Sequence, residues 1–250
     1  MSDCVALFVP CYVDQFFPHV ARATLELLER HGLTVEFPLE QTCCGQPMAN
    51  AGCERDALET ARNFVRAFAG YEHIVSPSGS CVHYVQRHYD VLEQTDDVRR
   101  VRASTYELCQ FLVEELKVED PGVSFPHRVG VHVGCHAQRG LRLASSSEIS
   151  PHPVGVMRSL LERVDGIELI ELDRTDECCG FGGSFCVTEE AVSSRMGLDR
   201  VRDHERHGAE VITSGDMSCL MHLDGVIRRQ GLPIRVMHVA EILNGTQVVA

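Results

Sequence analysis

Short apolar, β-rich runs alternate along this chain with longer stretches in which apolar residues recur every three or four positions. The runs at 5–9, 33–37 and 72–76, and again at 128–133, 167–172, 210–214 and 234–237, read as strands. Helical periodicity covers 15–31, with Val20, Ala23, Leu27 and Leu28 on one stripe and Gly32 as a stop. It covers 53–69, with Ala57, Leu58, Ala61, Phe64, Val65 and Phe68, and 105–116, with Leu108, Phe111, Leu112 and Leu116. A further helix opens at the turn carrying Cys81. Later helices are predicted over 154–163, 188–207 and 239–243, while the polar, serine-rich 140–149 reads as a loop.

Strands that alternate with helices predict an α/β fold with mostly parallel sheets. The turn Glu119-Asp120-Pro121-Gly122 marks a boundary, giving halves 1–121 and 122–250. Each half reads as a Rossmann-like set of βαβ units, and the repeated plan implies pseudo-two-fold symmetry.

The cysteines carry the same duplication. Cys43-Cys44-Gly45 is flanked by lone Cys11 and Cys81; Cys178-Cys179-Gly180 is flanked by lone Cys135 and Cys219 at similar distances. All eight fall just after predicted strands, where open α/β sheets place ligands. Four thiolates per half are what one iron–sulfur cluster commonly requires. Neighbouring glycines let the backbone approach and direct N–H groups at sulfur.

Composition narrows the setting. The chain has 250 residues, 44% hydrophobic and 24% charged, which suits a soluble globular protein with a sizeable core. Twelve cysteines are too sparse for a small disulfide scaffold. The N-terminus shows no basic region or long apolar stretch, and no run approaches a transmembrane segment, so a reducing cytoplasm is the expected location. A net charge of −13 argues against nucleic acid.

Five stretches resemble the CCG-domain family of cysteine-rich iron–sulfur oxidoreductases: Pro10-Cys11, Cys43-Cys44-Gly45-Gln46-Pro47, the segment ending Ser78-Gly79-Ser80-Cys81, Cys178-Cys179-Gly180-Phe181-Gly182-Gly183, and Met237-His238-Val239-Ala240-Glu241. That family includes the cysteine-rich subunits of heterodisulfide reductase and of glycolate and glycerol-3-phosphate oxidation systems. A chain that is little more than two repeats is most similar to members that act with two partner proteins in oxidising L-lactate to pyruvate.

The resemblance implies an electron-transfer subunit with two iron–sulfur clusters, of 4Fe-4S or non-cubane type. Cys11, Cys43, Cys44 and Cys81 would hold one, and Cys135, Cys178, Cys179 and Cys219 the other. The implied partners are the iron–sulfur and third subunits of a lactate utilisation complex, with a small-molecule hydroxy acid handled by the whole assembly. Two alternatives stay open: cluster-based reduction of a disulfide between the two sites, and a non-redox zinc scaffold.

The family's closing Cys-x-x-Cys departs here. Ser78 and Asp216 stand where its first cysteine would be, either as oxygen ligands or as caps of a following helix. Cys4, Cys53 and Cys109 are expected to be small buried hydrophobes. Cys186 could be a spare ligand. His83, His136 and His222, each near a motif cysteine, are expected beyond the ligands or at the surface. No phosphate loop, dinucleotide fingerprint or nucleophile elbow accompanies them, and no catalytic residue is assigned.

Overall fold

The chain forms two four-stranded sheets, parallel throughout. The structure, a computed structural model, describes residues 4–149 and 154–248. Residues 1–3, part of the stretch read for a leader, and the last two residues of the second half lie outside them. The first sheet contains β1 (Cys4–Leu7), β2 (Thr34–Glu36), β3 (Ile74–Ser76) and β4 (Thr105–Glu107), in the order β2-β1-β3-β4. The second contains β5 (Arg128–Val131), β6 (Glu168–Leu169), β7 (Val211–Ser214) and β8 (Arg235–His238), in the order β6-β5-β7-β8. Counted within each half, the two orders are the same, and the turn at 119–122 falls between them. This is the duplicated, Rossmann-like α/β plan.

The helices of the first half are α1 (Cys11–Phe16), α2 (Pro18–Arg30), α3 (Gln46–Asn50), α4 (Glu54–Phe68), α5 (Gly79–His88), α6 (Asp96–Ser104) and α7 (Leu108–Gln110). The second half adds α8 (Val156–Leu161), α9 (Phe185–Thr188), α10 (Glu190–Arg206), α11 (Met217–Gln230) and α12 (Val239–Leu243). Several boundaries differ from the sequence reading for identifiable reasons. The helix expected over 15–31 is two helices, because Pro18 supplies no N–H and takes the first position of a new one after Phe17. The start of the helix expected over 105–116 is β4 instead. Thr105 and Glu107 pair with Ile74 and Ser76, so sheet contact overrides a periodicity that resumes only in α7 and the π-helical turn Phe111–Glu115. The helix expected over 188–207 is interrupted at Glu189 into α9 and α10. Helices α3, α6 and α11 have no counterpart in the sequence reading; α6 is polar, with only Val98 and Val101 buried, whereas α11 buries Met217, Leu220, Leu223 and Ile227 at helical spacing.

The two halves share their interior. One apolar group joins Val5, Val75 and Leu108 to Val129, Val211 and Met237. Another joins Leu7, Val9 and Val13 to Val201, Ile212 and Leu220. The halves are thereby fixed against each other by a continuous core. Polar contacts add to it: Asn244 after α12 donates to Glu26 of α2 at 2.7 Å.

Candidate metal centre

In each half, three strand ends deliver the cysteines. Cys11 opens α1 after β1, Cys43 and Cys44 follow β2, and Cys81 lies in the first turn of α5 after β3. Cys135 follows β5, Cys178 and Cys179 follow β6, and Cys219 lies in the first turn of α11 after β7. Parallel pairing brings these ends to one edge, so residues remote in sequence converge there.

The thiols form matching chains. Cys11 Sγ is 3.7 Å from Cys43 Sγ, and Cys44 is hydrogen-bonded to both Cys43 and Cys81. In the second half Cys135 contacts Cys178, and Cys179 contacts both Cys178 and Cys219. A glycine in left-handed conformation turns the backbone beneath each set: Gly45 at φ 96° and Gly180 at φ 91°. Their N–H groups reach Cys43 Sγ and Cys178 Sγ, each at 3.4 Å, and Phe181 N–H reaches Cys179 Sγ at 3.5 Å.

These contacts sort the thiols electrostatically. Hydrogen bonds from Cys11 and then Cys44 hold Cys43 down to about 3, and those from Cys135 and then Cys179 hold Cys178 down to about 2. Their neighbours move the other way. Cys11 and Cys44 are raised, first by hydrogen bonding to Cys43; Cys135 and Cys179 are raised, first by hydrogen bonding to Cys178; burial adds to all four. Each half therefore has one sulfur poised as thiolate between two neighbours that hold their protons.

All eight predicted cysteines are thus brought into two sets of four. Beyond expectation, both sets border one cleft of about 110 Å³, where Cys11, Cys44 and Cys81 face Cys135, Cys178 and Cys219. A soft set of four sulfurs with N–H groups directed at sulfur fits an iron–sulfur cluster.

Ser78 and Asp216 act as caps. Ser78 Oγ accepts Cys81 N–H at 3.3 Å. Asp216 Oδ2 accepts Ser80 N–H at 2.8 Å across the join, and Oδ1 accepts Ser218 Oγ–H at 2.9 Å. Cys186 donates its thiol to Gly183 O at 3.0 Å and does not line the cleft that both sets border. Cys109 is buried as expected, whereas Cys53 is exposed at the start of α4, where no core packs over it, and Cys4 is half-buried on the edge of β1. His136 Nδ1 lies 3.8 Å from Cys135 Sγ, and His83 packs against His136. His222 contacts Ser193 O and the Phe181 ring, so its neighbours are α10 and the turn after Cys179.

Pattern reading missed His132. It is 2% exposed at the end of β5, and one of its ring nitrogens lies within 4.8 Å of both Cys179 Sγ and Cys219 Sγ. Arg200, fully buried, donates from Nε to His132 Nδ1 at 3.3 Å. Burial, with Arg200 nearby, pushes His132 down to about 3, so the ring is neutral. Its one sequence signal was a histidine within a strand otherwise apolar after Arg128. A second group, Asp173, Asp203 and His207, is engaged by Arg206 and by backbone N–H groups of the 173–174 turn.

The model of the cysteine-rich domain called CCG matches this chain twice, over residues 5–86 and 129–224. Lactate utilization protein A of Halalkalibacterium halodurans is 43% identical over 244 residues, covering 96% of each chain. The proteins of the same name from Geobacillus thermodenitrificans and Exiguobacterium sp. are 42% and 44% identical, each over 96% of this chain. A hypothetical protein from Helicobacter pylori has a solved structure that matches with TM-score 0.62 at 12% identity. It covers 97% of this chain and 48% of its own, a likeness of fold.

Proposed function

The chain belongs to the CCG cysteine-rich domain family, with relatives named lactate utilization protein A, and from that membership we propose that it is the iron–sulfur electron-transfer subunit of an L-lactate oxidising system. Its role in that reading is in lactate utilisation, with metal bound through cysteine-rich repeats. In the proposed reading, residues 1–121 and 122–250 are two fused repeats with one cluster each. Cys11, Cys43, Cys44 and Cys81 hold the first; Cys135, Cys178, Cys179 and Cys219 hold the second. The cluster supplies one-electron exchange. The chain supplies thiolates, N–H groups from Gly45, Gly180 and Phe181 that offset negative charge on sulfur, and a partly closed cleft. Partner subunits carry the hydroxy-acid chemistry, for which no acceptor and base are assembled among the described residues. Among those residues no helix is long and apolar enough to cross a membrane.

The observation that carries this reading is the repeated chain of four cysteines, each with a glycine N–H on the first sulfur of its Cys-Cys pair. A second reading, reduction of a disulfide between two clusters, is favoured by the single cleft that both sets border.

Anaerobic purification with iron, sulfide and zinc analysis, and EPR of the reduced chain, tests the proposal. About four irons per repeat with matching sulfide is the expected result. Zinc without sulfide would overturn it. Growth on L-lactate, lost without the chain and restored by it but not by Cys44→Ala or Cys179→Ala, tests the physiological role.

A further inference from the structure

The two repeats surround their matching cysteine sets with opposite chemistry. β1 and β5 run into their first cysteines in the same way, so Phe8 occupies in the first repeat the place of His132 in the second. Phe8 N–H bonds Val75 O at 2.9 Å, and His132 N–H bonds Thr213 O at 2.8 Å, the same ladder position on the next strand. The covering helices correspond as well. An added Cβ at Gly45 would meet Ala57 O of α4, and one at Gly180 would meet Ser193 O of α10. Two turns on from these residues stand Phe64 and Arg200, and one further turn brings Phe68 and His204.

The trio behind the first set is therefore aromatic, and the trio behind the second is polar. Phe8 packs on Phe64 at 4.8 Å and on Phe68 at 5.8 Å between ring centroids. In their places, His132 accepts a hydrogen bond from Arg200, and His204 packs against Gly130 so closely that an added Cβ there would lie 2.1 Å from its Nδ1. The first repeat has Ala6 where the second has Gly130.

This substitution fixes what His132 can do. Arg200 is always a donor, so Nδ1 must present its lone pair and the ring proton resides on Nε2. Nε2 has no hydrogen-bond partner and is buried. With Nδ1 occupied, Nε2 is the nitrogen left to meet Cys179 and Cys219. Nε2 is thus an N–H donor without an acceptor, with both sulfurs within 4.8 Å of a ring nitrogen, and it cannot ligate, because ligation would require a lone pair on Nε2 and an Nδ1–H opposed to the Arg200 N–H.

We propose that His132 is a positioning residue that donates its Nε2–H to the sulfurs of the second repeat, backed by Arg200, and so makes that repeat's centre the more easily reduced of the two. The inference rests on the iron–sulfur reading. Donors to sulfur stabilise the reduced, more negative state, and the first repeat offers only rings at these positions.

The test is a redox titration, followed by EPR, of the full-length chain purified anaerobically, with iron and sulfide measured on the same samples. Two distinct midpoint potentials are expected. His132→Phe should shift the more positive one negative and leave the other in place, and His132→Gln, which keeps an N–H donor, should shift it less. Full iron and sulfide with both potentials unmoved by His132→Phe would overturn this inference and leave the iron–sulfur reading intact. Wild-type chain without iron and sulfide would overturn both. If His132→Phe fails to load, His132→Phe/Arg200→Phe, which installs the first repeat's ring pair, is titrated with the same expectation. A readout independent of metal is ring-nitrogen NMR of His132 in the metal-free chain: the Nε2–H tautomer is expected, and an Nδ1–H tautomer would overturn the assignment.

Discussion

Ser78 and Asp216 meet across the join of the two halves as an antiparallel bridge pair, with Gly79 N–H donating to Gly215 O at 3.3 Å beside them. They stand at matching places in the two repeats, one turn before Cys81 and Cys219, yet their side chains work differently. Ser78 caps its own helix, whereas Asp216 reaches into the other half and accepts the N–H of Ser80 in α5. The cysteine-bearing helices are thus tied together through residues that hold no sulfur.

Because these oxygens are already engaged, Ser78→Ala and Asp216→Ala should each retain full metal content. Stability should fall by about 1 kcal/mol for the lost Ser78 cap. Asp216→Ala should cost about 1–3 kcal/mol, since it strands the Ser80 N–H. Metal analysis beside urea unfolding checks both; loss of metal in either variant would return that oxygen to the ligand set.

Gly180→Ala should be more damaging than Gly45→Ala. Both positions are left-handed, which costs a non-glycine residue about 1–3 kcal/mol. A Cβ at Gly180 would also lie 2.6 Å from Ser193 O, against 3.3 Å from Ala57 O at Gly45. Denaturant midpoints should rank the variants in that order, and the second repeat should lose its metal first.

Asp203 and Arg200 are both fully buried, with Arg200 Nη1 3.5 Å from Asp203 Oδ2. Asp203 also accepts the N–H groups of Asp173 and Arg174 at 3.2 and 3.1 Å. Asp203→Ala leaves a buried guanidinium without its counter-charge and should cost about 3–5 kcal/mol. Chemical unfolding measures it, and a loss below about 1 kcal/mol would show that the backbone carbonyls around Arg200 suffice.

Glu107, at the end of β4, is buried with Oε1 unpartnered, and burial pushes its carboxyl up to about 7. A carboxyl raised in the folded state binds more protons folded than unfolded, so stability should decline as pH rises from the ordinary glutamate value to about 7. The total is about 3 kcal/mol. Glu107→Gln should flatten that decline and be more stable than wild type at pH 8. Urea titrations at pH 5 and pH 8 decide it; equal slopes in the two proteins would exclude Glu107 as the source.

Much of the fold was legible because its signals are local. The strand 128–133 delivers Cys135, and the stripe from Ala57 to Phe68 becomes the buried face of α4, since period and turn residues act over a few positions. Strand β4 was not legible. Thr105 and Glu107 join a sheet through partners in β3, and such pairing leaves no mark in their own neighbourhood. The break at Phe17-Pro18 carried a local signal, and there the pattern of apolar residues ran straight through it.

For the site, the two sets of four cysteines, the glycines beneath them and their place after strands were legible along the chain, because duplication is written in residue identity. That both sets border one cleft, that Asp216 caps the helix of the other repeat, and that His132 with Arg200 replaces Phe8 with Phe64 emerge from the folded chain. Those are relations between segments far apart in the chain, set by strand order and by a core shared between the halves, and no spacing along one dimension encodes them.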